Sequence, residues 1–123
     1  MPGPRVAVII PNWNGAHLLR PCLASLLAQT YDDFEVIVVD NASLDGSVGM
    51  VVEKYPQATM IACEANLGFS AANNRGSAVA GGDCLLFLNS DTVVGEDALV
   101  APLTYLKSHP QVGALTVRLV YPN

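Results

Sequence analysis

A chain of 123 residues with 51% hydrophobic and 14% charged positions suits one modest domain and is too apolar to stay disordered. Six Lys and Arg against eleven Asp and Glu leave a net charge of −5 without a basic cluster, which argues against a nucleic-acid partner. The apolar runs are far shorter than a membrane-spanning helix needs, and none has the order of a secretory leader, so a cytoplasmic protein is expected.

Val6–Ile10 is a short β-branched run closed by Pro11, the pattern of a buried strand. Leu18, Leu19, Cys22, Leu23, Leu26 and Leu27 then recur at helical spacing, predicting a helix from about Ala16 to Gln29. Pro21 fits such a helix only in its first turn, so the start is open. Phe34–Val39 is a second strand, ending at Asp40. Asp45-Gly-Ser47 reads as a cap for a helix running to about Tyr55, stopped by Pro56. Thr59–Cys63 is a third strand, and a helix from about Phe69 to Ala80 ends at Gly81-Gly82. Cys84–Leu88 is a fourth, fully apolar strand. Glu96-Asp97 opens a last helix to about Ser108, with Pro102 as a kink or a delayed start, and Val112–Val120 is a final strand. Cys22, Cys63 and Cys84 lie apart in apolar stretches and read as buried thiols, not as a disulfide or zinc framework.

Alternating β and α elements with apolar strands predict an α/β fold, a mostly parallel sheet with helices on both faces. Ligands of such sheets bind beyond the carboxyl ends of the strands. Polar residues gather there: Asn12 and Asn14 around Trp13, then Asp40-Asn-Ala-Ser43, Glu64-Ala-Asn66 and Asn89-Ser-Asp91. A dinucleotide fold would need a G-x-G-x-x-G turn after the first strand, and Pro11-Asn-Trp-Asn-Gly15 has one glycine. A phosphate loop ending in G-K-[ST] is absent, and His17 and His109 both fall on predicted helices.

Each polar position has a plain structural use beside a ligand-binding one. Trp13, the single tryptophan, either packs half-buried or stacks on a base. Asp40 either holds a turn or accepts from an imide N–H or ribose hydroxyl. Gly68 permits close backbone approach, and the helix after it aims N–H groups toward a ligand. Asn73, Asn74 and Arg75 either face solvent or line the site, where Arg75 would supply a cation. Asp91 either caps a turn or holds Mg²⁺ or Mn²⁺ through oxygen, with a diphosphate completing the shell.

Four segments in order carry a resemblance: Val8–Asn14, Val38–Ser43, Asn66 through Gly76, and Leu88–Thr92. From Val6 to about Val120 the chain resembles the donor-binding half of inverting nucleotide-sugar glycosyltransferases of the A-type, Rossmann-like fold, the large family-2 group. The resemblance implies that Pro11, Asn12 and Trp13 meet the nucleobase and ribose and that Asp40 reads the base. It implies that Asn66, Gly68 and Asn74 line the nucleotide and diphosphate. Asn89, Ser90 and Asp91 fall on the metal-binding D-x-D motif, with Asp91 as the ligand of Mg or Mn. Asn89 replaces the first aspartate, and Asn73 stands where many members carry arginine, with Arg75 nearby. The wording of the Asn66 segment is similar to rhamnosyltransferase-like members.

The family's reaction is a single displacement, in which a carboxylate base deprotonates an acceptor hydroxyl that inverts the anomeric carbon. That base lies well past the D-x-D motif, where this chain offers Glu96 and Asp97, both explicable as helix-start residues. The resemblance therefore implies one donor-binding domain over residues 1–123, truncated relative to the family and lacking base and acceptor site. The full-length enzyme would take a nucleotide-diphosphate sugar and a glycan or lipid-linked acceptor, at or near the inner membrane face. A non-catalytic nucleotide-sugar-binding module and an acidic flavodoxin-like domain are the competing readings, the latter opposed by Asn12 and Asn14. The strand order expected from the family, 3-2-1-4, leaves the fourth strand at an open edge. That edge predicts either a homo-oligomer or a displaced Val112–Val120 strand.

Overall fold

The computed structural model describes residues 5–120. Its elements are β1 (Val6–Asn12), α1 (Ala16–Leu27), β2 (Phe34–Asp40), α2 (Ser47–Lys54), β3 (Thr59–Ala62), α3 (Phe69–Val79), β4 (Cys84–Phe87) and α4 (Val100–Ser108). The four strands form one sheet in the order β3-β2-β1-β4, and every pairing is parallel. Asn12 lies opposite Asp40, so the two central strands end together.

Alternation along the strands divides the core in two. Val6, Val8, Ile10, Val36 and Val38 face one way and pack on Leu19, Cys22, Leu23 and Leu26 of α1, Val51 of α2 and Leu103 of α4. Ile9, Ile37 and Val39 face the other way, toward Cys63 and Ala72 of α3. Helices therefore cover both faces. Helix α3 approaches closely because Gly76 has no side chain: a Cβ there would stand 2.5 Å from Ile9 Cγ2.

Four expectations need correction. Helix α1 runs through Pro21, which lies beyond its first turn. The missing N–H leaves the carbonyl of exposed His17 without its helical donor, on a side where water can serve it. The last helix begins at Val100, not Glu96. Residues 96–99 form a turn tied to the segment after α1 by Thr30 N–H donating to the Glu96 carbonyl at 2.8 Å. Pro102 then sits in the first turn, where no N–H is required, and His109 follows the helix as its C-cap. Val112–Val120 is not a strand: it has no ladder, and Val117, Leu119 and Val120 are exposed. Its apolar pattern suits a strand, but pattern without an adjacent partner forms no sheet. Of the three free thiols Cys22 and Cys63 are buried, while Cys84 is only half-buried because β4 is an edge.

Candidate nucleotide-sugar site

The turns after β1 and β2 are fastened to each other across the carboxyl end of the sheet. Asn41 N–H donates to the Asn12 carbonyl at 2.8 Å, and Asn14 N–H donates to Ser43 Oγ at 2.8 Å. Leu44 N–H donates to Asn14 Oδ1 at 2.8 Å, and Ala16 N–H to Asp45 Oδ2 at 2.9 Å. Asn14 and Ala42 take positive φ of 50° and 65° to make these turns. Such values are uncommon for residues with a Cβ, and the bonds around them hold the conformation.

Asp40 lies beneath this seam, 1% exposed. Its Oδ1 accepts from Asn12 Nδ2 at 3.0 Å and Ser43 Oγ at 2.7 Å, and its Oδ2 from Ser43 N–H at 2.8 Å. Burial of a carboxylate is tolerable with this many donors.

Asn41 fixes the third wall, and sequence reasoning passed over it. Its Nδ2 donates to the Gly68 carbonyl at 3.2 Å while its Oδ1 accepts from Leu67 N–H at 3.3 Å. One carboxamide thus holds the 66–68 loop to the end of β2. Gly68, at φ 88°, needs the freedom of glycine there.

The fourth wall is the turn after β4. The Asn89 carbonyl accepts from Thr92 Oγ1 at 2.8 Å, Thr92 N–H at 3.2 Å and the Cys22 thiol at 3.9 Å. Burial pushes the Cys22 thiol up to about 11, so it stays protonated and can serve as a donor to this turn.

Together these turns bound an open cleft of about 600 Å³. Of the eleven sequence-predicted site residues, eight line it: Pro11, Asn12, Trp13, Asn66, Gly68, Asn89, Ser90 and Asp91. Trp13 is 58% exposed, so it is not a packing residue. Asn14 and Asn41, from the polar groups after β1 and β2, also line the cleft, as do Gly15, Leu18 and Phe69. Exposed Phe69 could have been found as a large apolar residue directly after the Asn66–Gly68 turn.

Three predicted residues are not brought to the cleft. Asp40 is turned inward by its own donors. Asn74 is exposed and not among the lining residues. Arg75 borders a separate depression with Glu64 and Leu67, where its Nη1 lies 3.3 Å from Cys63 Sγ. The helical turn explains this: Ala72, Asn73 and Gly76 are the residues of α3 that face the sheet, so Asn74 and Arg75 face away.

The donor set of the β4 turn is a carboxylate, a carboxamide and a hydroxyl, all hard oxygen donors. Among the described residues no three His, Cys, Asp or Glu side chains gather to hold an ion. The residues fit Mg²⁺ or Mn²⁺ only as a site completed by oxygens from a ligand and water.

Residues 7–123 match the model of Glycosyl transferase family 2. The chain belongs to that family. It is 34% identical over 123 residues to the O-antigen biosynthesis protein RfbC of Myxococcus xanthus, covering 98% of this chain and 10% of that protein. It is 32% identical over 111 residues to the poly(ribitol-phosphate) beta-glucosyltransferase of Bacillus spizizenii, covering 85% of this chain and 18% of that one. Among solved family structures, it matches the mannosyltransferase PcManGT of Pyrobaculum calidifontis, in complex with GDP-Man and Mn²⁺. The TM-score is 0.76 at 29% identity, covering 85% of this chain and 32% of that one. S. aureus TarS in complex with UDP-GlcNAc matches with a TM-score of 0.77 at 28% identity, covering 86% and 32%. The chain therefore spans less than a fifth of those two curated relatives and about a third of those two solved chains. These relatives are varied glycosyltransferases and do not single out the rhamnosyltransferases.

Proposed function

We propose that this chain is the donor-binding part of an inverting glycosyltransferase, holding a nucleotide-diphosphate sugar in the cleft beyond the strand ends. The observation that carries this reading is the convergence of eight sequence-predicted residues from four separate turns on one cleft. Binding of UDP-GlcNAc by one family relative and of GDP-Man by another supports it.

In this reading Trp13 stacks on the base, and Asn66 and Gly68 close over the nucleotide. No Lys or Arg is among the cleft-lining residues, so backbone N–H groups and, when bound, a divalent ion would have to neutralise the diphosphate. Asp91 would hold that ion with oxygens of Asn89 and Ser90, and when bound the ion would neutralise the departing diphosphate. An acceptor hydroxyl, on a glycan or lipid-linked glycan near the inner membrane face, attacks the anomeric carbon from the opposite side. Asp91 is the only carboxylate among the cleft-lining residues, and in this reading it would hold the metal. The base for the acceptor therefore comes from elsewhere in the enzyme. A rhamnosyl donor rests on the wording of the Asn66 segment alone.

The single cleft carboxylate also suits a second reading, a nucleotide-sugar-binding module without turnover. Measurable transfer by this chain would exclude it. Calorimetric titration with UDP, dTDP and GDP in Mn²⁺, then in EDTA, tests the main reading. Heat with at least one nucleotide, lost in EDTA, is expected. Asp91→Ala should abolish the metal dependence, whereas Glu96→Ala, away from the cleft, should leave it intact. Absence of heat with all three nucleotides at millimolar concentration would overturn the proposal.

A further inference from the structure

The segment between β4 and α4, residues 88–99, carries Asp91 and has neither helix nor strand. Backbone groups in such a stretch need partners from elsewhere. Several find them on the second half of α1 and on the residues just past its end. The Asn89 carbonyl accepts from the Cys22 thiol at 3.9 Å, and Val94 N–H donates to Ser25 Oγ at 3.1 Å. Gln29 serves both polarities: its Nε2 donates to the Gly95 carbonyl, and its Oε1 accepts from Leu99 N–H at 3.2 Å.

Along the segment these anchors run acceptor, donor, acceptor, donor, and the side chains answer in the same order. Ser25 donates its own proton to the Cys22 carbonyl at 2.8 Å, so toward Val94 it only accepts. The match gives the segment one register on the helix. A leucine at 25 or 29 would extend the apolar face of Leu19, Leu23 and Leu26, but would strip Val94 or Leu99 N–H of its partner. Asp91 falls between the first two anchors. At its other end α1 starts at the cleft, where Gly15 and Leu18 join the lining two residues after Trp13. One helix thus runs from the wall assigned to the base to the turn assigned to the ion.

We propose that Cys22, Ser25 and Gln29 are positioning residues for the divalent ion: by fixing residues 89–99 on α1 they set where Asp91 stands, and so how tightly the cleft holds Mn²⁺ or Mg²⁺ beside a diphosphate. None of the three lines the cleft, so they act through the backbone of the turn. The inference rests on the nucleotide-sugar reading above, with Asp91 as the ligand of the ion.

The test measures, by calorimetry at a fixed UDP or GDP concentration, the Mn²⁺ concentration that gives half the nucleotide heat. Ser25→Ala and Gln29→Met, both at half-buried positions, should each raise it about fivefold, the scale of a lost hydrogen bond. Cys22→Ala should raise it as well. Ser25→Thr, which keeps the hydroxyl, and Cys22→Ser, which keeps a donor, should stay within about twofold of the unaltered chain. Ala24→Gln, on the exposed side of the same helix, should leave it unchanged. In an Asp91→Ala background, where residual binding no longer depends on the ion, Ser25→Ala should have no effect on nucleotide affinity, whereas general loosening would weaken it as before. Ser25→Ala serves alone if Gln29→Met does not fold. An unchanged Mn²⁺ midpoint in these variants overturns the positioning role and leaves the nucleotide-sugar reading standing. Nucleotide heat that survives EDTA removes the ion and this inference with it, and absence of any nucleotide heat overturns both.

Discussion

An indole with more than half its surface in water at a cleft mouth leaves apolar area that a stacked base would cover, at roughly 1–3 kcal/mol. Because Trp13 is the single tryptophan, its emission reports that event without interference. Saturating nucleotide is expected to shift or quench it, and Trp13→Ala should weaken binding by about tenfold or more while leaving the thermal midpoint within a degree or two. Unchanged emission at a concentration that calorimetry shows to saturate would remove Trp13 from the ligand. Residues of this kind are legible in sequence, since an aromatic or polar group directly after an apolar strand has few structural uses. Orientation is not. Asp40 has the right position for a ligand contact, yet the donors of Asn12, 28 residues away, and of nearby Ser43 turn it inward. Asn41 is the reverse case, an unremarked asparagine whose two bonds hold a whole loop.

Two helices begin on one carboxylate. Asp45 accepts from Ala16 N–H at the start of α1 and from the Ser47 N–H and hydroxyl at the start of α2. These bonds, the Ser47 hydroxyl first, hold its carboxyl below the usual carboxylate range. A depressed folded pKa stabilises the fold above the unfolded pKa, and that contribution fades as pH falls through the folded value. Urea midpoints of the unaltered chain should therefore drop below about pH 4 more steeply than those of Asp45→Asn. Parallel pH profiles would show that Asp45 contributes nothing through its charge. The helix start was readable because Asp-Gly-Ser before a helical pattern is a local signal, although Gly46 is the N-cap and Asp45 acts from the residue before it; its bond to α1 was not readable, being 29 residues away. The same divide between local and distant explains the strands. β1, β2 and β4 announce themselves by short apolar runs, whereas Val112–Val120 has the composition of a strand and none of the neighbours that make one.

Across the molecule the two ends of the sheet are built differently. At the amino end Arg5 pairs with Asp33 at 3.0 Å and Glu35 at 3.3 Å, while the carboxyl end is fastened by Asn14, Ser43 and the carboxylates of Asp40 and Asp45 through hydrogen bonds to uncharged groups. The lateral edges differ as well. Phe87 is 50% and Leu85 49% exposed on the outermost strand β4, beside a row of backbone groups that no further strand covers among the described residues. Such an edge favours self-association. Light-scattering mass is expected to rise with concentration, and Phe87→Lys should suppress the rise; a constant mass of one chain would refute it. The fastened turns after β1 and β2 carry a different consequence. Their bonds already join residues 12–16 to 40–45, so no ordering of these segments need accompany arrival of a ligand. The first contact with a nucleotide then becomes a matter of encounter frequency, with a single kinetic phase whose rate rises linearly with nucleotide concentration.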